Sequence, residues 1–135
     1  MTRIVQTRLI DDDKLGIVHD DKLRRVWASE HNRCQLCGDG GSFPRWLETH
    51  HISGAAGRSD ERCNFARLCN GDGGCHGLYH AGEIRFETVM AAKLLCDPEE
   101  FDLCRVLRLR RQAMSADLYL DIALEASRML KERNP

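Results

Sequence analysis

The sequence predicts an α+β fold, in which a short-stranded, metal-bearing centre is followed by helices. Three observations predict it. First, residues 32–82 are dominated by glycine and polar residues, with only short apolar runs. A segment of that kind cannot bury enough surface to hold itself together by a core alone. Second, Cys34, Cys37, Cys63, Cys69 and Cys75 all fall in this stretch. Third, residues 83–135 carry apolar side chains at helical spacing. The 135 residues suit one domain, 1–135. It divides into a lead-in (1–31), a central core (32–82) and a helical extension (83–135).

Taken in order, IVQTRLI (4–10) reads as a short strand. DDKLRRVWASEHN (20–32) reads as a helix, with Leu23, Val26 and Trp27 on one face and Asp20 and Asp21 at its positive end. WLETHHI (46–52) and NFARLC (64–69) have the content of extended segments, and EIRFE (83–87) that of a short strand. ETVMAAKLLC (87–96) predicts a helix. The next helix starts at DPEEFD, with Asp97 as N-cap and Pro98 in the first turn. Ser115 caps a last helix that turns Leu118, Ile122, Ala126 and Met129/Leu130 inward. Packing support is the expected task of these C-terminal helices. Cys96 and Cys104 read as buried thiols.

Hydrophobic residues make up 42% of the chain and charged residues 30%, the balance of a soluble globular protein. A net charge of −1 argues against a protein that coats nucleic acid nonspecifically. The charge is uneven, however. RVLRLRR (105–111) is rich in arginine, while DDD (11–13) and DPEEFD (97–102) are acidic, so a local basic face is open to the chain. No apolar run is long enough to span a bilayer, and the N-terminal residues lack the apolar core of a signal peptide. A cytoplasmic location without a membrane partner follows.

In a reducing compartment, crowded cysteines favour metal over disulfides. RCQLCG presents Cys34 and Cys37 as C-x-x-C, which brings two thiolates to one ion from a tight turn. The redox reading of that motif wants a preceding strand and a following helix, whereas here a helix precedes and GDGGS follows. Cys69 and Cys75 are the natural second pair. Their spacer, NGDGG, is longer than usual, but its glycines let it fold back. The expectation is a structural Zn²⁺ on Cys34, Cys37, Cys69 and Cys75, with Cys63 as the rival for one position.

His76 and His80 share a face if their segment is helical, and could hold one ion. His50 and His51 end a strand-like run, so they point to opposite faces. One can join the metal while the other faces a substrate. Three histidine ligands leave coordination positions open, as at a catalytic metal. A competing assignment gives His76 or His80 to the zinc site.

The ordered set RCQLCG, LETHHIS, NFARLC and CHGLYH resembles an HNH endonuclease, of the ββα-metal fold, over residues 33–81. The resemblance implies a metal-dependent DNA endonuclease in which His51 is the general base, and His50 and His76 are metal ligands. It implies that Asn64 braces the loop that aims His51. His80 matches the extra ligand of colicin-type nucleases. Catalysis would rest on His51, Asn64 and His76, and the products would carry 5′-phosphate and 3′-hydroxyl ends. His50 stands where many members carry aspartate, so the catalytic divalent metal could be Mg²⁺, Mn²⁺, Ni²⁺ or Zn²⁺. Arg45, Arg58, Arg62 and Arg67 surround the motif and could contact phosphates. Small stand-alone members of the family are similar to phage proteins acting in a host cytoplasm. One active site cuts one strand, and a homodimer through the C-terminal helices would cut both. The alternatives are a zinc-stabilised nucleic-acid binding module without catalysis and a protein–protein adaptor built on the helical extension.

Overall fold

A computed structural model describes residues 15–133. The strand expected over 4–10 lies outside the described residues. The first helix, α1 (Asp21–Ser29), is capped by Asp20, whose side chain accepts the Leu23 N–H at 3.0 Å. Trp27 is its buried anchor, tilted against Phe65 with ring centroids 5.3 Å apart. Val26 does not share that face as the spacing suggests. It lies about 100° further round the helix and is 41% exposed.

The sheet is a two-stranded antiparallel ribbon of β1 (Arg45–His51) and β2 (Phe65–Gly71), with Arg45 opposite Gly71 and His51 opposite Phe65. A short helix, α2 (Cys75–His80), follows after a glycine turn and packs on β2. Strand, strand and helix thus fold back on one another as a unit. A two-stranded ribbon is marginal alone, and the C-terminal helices cover it. Ile52, Ala66 and Leu68 share one apolar cluster with Val89 and Met90 of α3 (Phe86–Cys96), Val106 and Leu107 of α4 (Leu103–Leu109), and Ile122 and Met129 of α5 (Ala116–Arg133). The architecture is mixed α+β.

Four expectations need correcting here. EIRFE is a turn that leads into α3, with Arg85 at the N-cap, because no partner strand lies beside it among the described residues. The helix expected to start at Asp97 is split. Pro98–Glu100 form a single 3₁₀ turn, and α4 begins afresh with Asp102 accepting the Arg105 N–H at 3.0 Å. Asp97 is unavailable as a cap because its carboxylate is buried among Gln35, His31 and Lys93. Cys96 and Cys104 are exposed rather than buried. In α5 it is Met129, not Leu130, that turns inward, while Ser115 accepts the Leu118 N–H as its position suggests.

Lys93 is fully buried between Asp97 (3.3 Å) and Glu100 (2.9 Å), beneath the Trp27 ring. This paired charge ties α3 to α1 behind the sheet. Among the described residues, no helix is long and apolar enough to cross a membrane.

Candidate metal centres

Two clusters of metal-ligating side chains flank α2. The first joins Cys34 and Cys37, from the turn after α1, to Cys69 of β2 and Cys75 at the head of α2. One atom from each lies within 4.8 Å of all the others. Gly38, at φ +82°, closes the first turn by donating its N–H to the Cys34 carbonyl at 2.9 Å. The long spacer folds back as expected. A Cβ at Gly74 would meet the Asn70 backbone at 2.8 Å, so only glycine lets the chain return this closely. The Cys75 N–H donates to Cys69 Sγ at 3.3 Å. A hydrogen bond from Cys75 pulls the Cys34 thiol down to about 4, while Cys75 is itself pushed up as the donor. Four thiols converging this closely, one of them held as a thiolate by its neighbour, fit a structural metal such as zinc. Cys63 is not in the cluster. Burial pushes its thiol up to about 11.

The second cluster is His50 of β1 with His76 and His80 of α2, again with ligand atoms within 4.8 Å of one another. The Nε2 atoms of His76 and His80 lie 2.9 Å apart. His50 is 8% exposed, and its Nε2 is a buried polar atom with no hydrogen-bond partner. Burial, and then the neighbouring imidazoles, push His50 down to about 4. It is therefore neutral at pH 7, with a ring nitrogen that nothing among the described residues satisfies. That donor set fits a divalent ion.

Glu48 completes this cluster from outside. One carboxylate oxygen lies 3.0 Å from His76 Nδ1 and accepts from Asn70 at 2.8 Å, and the other accepts from the Trp46 indole at 3.0 Å. It thereby turns His76 Nε2 toward the other histidines. The sequence contained a signal for it, because Glu48 stands two residues before His50 on a strand and so shares its face.

His51 makes a different connection. Its Nε2 lies 2.7 Å from Asp60 Oδ1, with both groups buried. The second oxygen of Asp60 accepts the Asp20 N–H at 2.7 Å. Burial acts to raise the Asp60 pKa, but the hydrogen bonds from His51 and Asp20 outweigh it and keep the group a carboxylate. A carboxylate can only accept, so His51 carries its proton on Nε2 and keeps Nδ1 free. Burial lowers the His51 pKa against the opposing pull of Asp60.

Asn64 is fully buried. Its side chain accepts the Ser53 N–H at 2.7 Å and donates to the carbonyls of Ser53 (3.2 Å) and Ser59 (3.0 Å). It ties together both ends of the loop that separates His51 from Asp60.

His50 and Asp60-bound His51 both line one open cavity of about 660 Å³, with His76, His80, Arg24 and Arg58. Of the four arginines singled out in the sequence, Arg58 alone borders it. Arg62 pairs with Glu30 (3.0 Å) and Glu100 (3.2 Å), and Arg67 donates to the His31 carbonyl and Thr49. Arg45 donates to the Asp72 carbonyl and sits 3.4 Å from Asp39. A third group, His31, Asp97 and Glu100, has ligand-like spacing, but the Lys93 ammonium already fills it. No protein-family model, curated protein or solved structure matches the chain.

Proposed function

We propose that the protein is a metal-dependent DNA endonuclease of the HNH type, built on a ββα-metal core and stabilised by a four-cysteine zinc. One observation carries the reading. A neutral, carboxylate-oriented imidazole (His51) and a three-histidine cluster with an unsatisfied donor open into the same cavity. A binding module has no use for either. The arrangement of β1, β2 and α2 agrees with the motif order that carries the resemblance.

In this reading His51 Nδ1 takes a proton from water as the latter attacks the scissile phosphorus. Asp60 holds the ring and stabilises the positive charge that forms on it. Asn64 keeps the intervening loop in register. His50, His76 and His80 would hold the divalent ion, whose chemistry is charge stabilisation on the phosphate and the leaving 3′ oxygen. Glu48 orients His76 for that task.

The test is supercoiled plasmid incubated with purified protein and Mg²⁺, Mn²⁺, Ni²⁺ or Zn²⁺, beside His51→Ala protein shown to be folded and zinc-loaded. Metal-dependent nicking or linearisation by the native protein, lost in the variant, is the expected result. Failure of the native protein to cut duplex, single-stranded or branched DNA with any ion would leave the zinc-stabilised binding module as the working reading.

A further inference from the structure

We infer that the loop Gly54–Ala56 and the arginine-bearing end of α4 form a one-sided track for the phosphate backbone of DNA, leading away from the histidine cavity. The inference rests on the nuclease reading and adds where the substrate lies.

Three hollows meet at this loop. The histidine cavity reaches Gly54, Ala55 and Arg58. A second hollow, of about 630 Å³, runs from His19 and Arg24 past Ala55 and Ala56 to Arg58. A third, of about 450 Å³, lies between Ser53–Gly57 and Leu109–Gln112. Ala55 borders all three, so the loop is the point on which they converge, and together they make up the groove of this proposal. Gly57 makes the join possible. A Cβ there would run into the Leu109 carbonyl and the Ser53 hydroxyl, so glycine lets the loop lie directly on the end of α4. This contact brings the C-terminal half of RVLRLRR to the third hollow, which shares Gly54 and Ala55 with the histidine cavity.

The chemistry of the groove suits an extended polyanion. Gly54, Ala55 and Ala56 are exposed and small, so a strand could approach the backbone closely. Arg58 is exposed and has no carboxylate partner among the described residues. Arg110 is held by its stack on Phe86, 4.0 Å from the ring centroid, and by a bond to Gln112. Its charge is fixed in place without being neutralised. No acidic residue lines the third hollow. The opposite side of the cavity differs. There Glu48 supplies a carboxylate to the wall. Arg105, in the same arginine run as Arg110, is spoken for, being paired with Glu61 at 2.6 Å. Geometry therefore separates Arg105, which is paired, from Arg110, which borders the third hollow with its charge unneutralised.

The test is fluorescence anisotropy of a short labelled DNA duplex across a salt series, with no divalent ion added to the zinc-loaded protein. Arg58→Ala and Arg110→Ala are compared with Arg108→Ala, which removes the same charge from an exposed α4 position outside the groove. Melting curves confirm that each variant is folded. The expected result is a loss of about three- to tenfold in affinity for Arg58→Ala and Arg110→Ala, each with the salt slope reduced by about one, and a smaller change for Arg108→Ala. Equal effects at all three positions would reduce the track to net charge and overturn it. So would native-like binding by the Arg58 and Arg110 variants, while leaving the nuclease reading in place. Absence of DNA binding by the native protein would remove the nuclease reading and the track with it.

Discussion

The thiol cluster and the histidine cluster are built from the same short stretch of chain, yet they are finished in opposite ways. Three of the four thiols are buried, with backbone N–H groups turned onto sulfur. The histidines line an open cavity, and one of them keeps a buried nitrogen without a partner. The first arrangement is saturated by its own ligands and the chain around them. The second leaves bonding capacity unused beside an open cavity. Identical proximity thus separates into an enclosed set and an open one.

The largest effect should come from breaking the enclosed cluster. Cys75→Ser removes a thiolate, and binding free energy of a structural zinc, on the order of 10 kcal/mol, acts as folding free energy. We expect loss of bound zinc and of the cooperative melt, read by metal analysis and circular dichroism. His51→Ala should do the reverse. Bound zinc should persist while cleavage falls by about 10²–10⁴-fold, the range of a lost general base. Zinc loss in that variant would show that the two clusters are not separable.

A smaller effect tests the support of the open cluster. Glu48→Ala should weaken binding of Ni²⁺ or Mn²⁺ by about 10–100-fold in calorimetry, without touching the thiol-bound ion. The smallest concerns pH. A base acts when deprotonated, and burial lowers the His51 pKa. At saturating metal, kcat/KM should therefore rise with pH along a limb lying below the ordinary histidine value of about 6.5, then level off. Asp60 pulls that pKa upward, so Asp60→Asn should move the limb to still lower pH while reducing the plateau. A limb that moved to higher pH would contradict the hydrogen bond at its base.

The two clusters were legible in the sequence for a chemical reason. Metal coordination demands particular residue types at restricted spacings, and Cys34, Cys37, Cys69, Cys75, His50, His76 and His80 satisfied both demands. Asp60 was not legible. It is one acid in a polar loop, and only the fold of residues 53–59 brings it to His51. The arginines failed for a related reason, since nothing in the sequence pairs Arg62 with Glu30 and Glu100. The same holds for Asp97, which has every attribute of a helix cap except freedom from Lys93, His31 and Gln35. Ligand sets are local in sequence. Ion pairs and hydrogen-bonded acids depend on which surfaces meet.

Cys75 and His76 are neighbours at the start of α2, one serving each cluster. For anyone editing this chain, that adjacency divides it into adjustable and fixed lengths. Asp72 and Gly73 form the turn between β2 and α2, and loops accept extra residues at small entropic cost. Between residues 75 and 76 there is no such latitude. One inserted residue would rotate everything beyond it by about 100° and shift it about 1.5 Å along the helix axis. His76 and His80 would leave His50 together, while the thiols stayed where they are. The spacing across that peptide bond is the tolerance to which the rest of the fold is built.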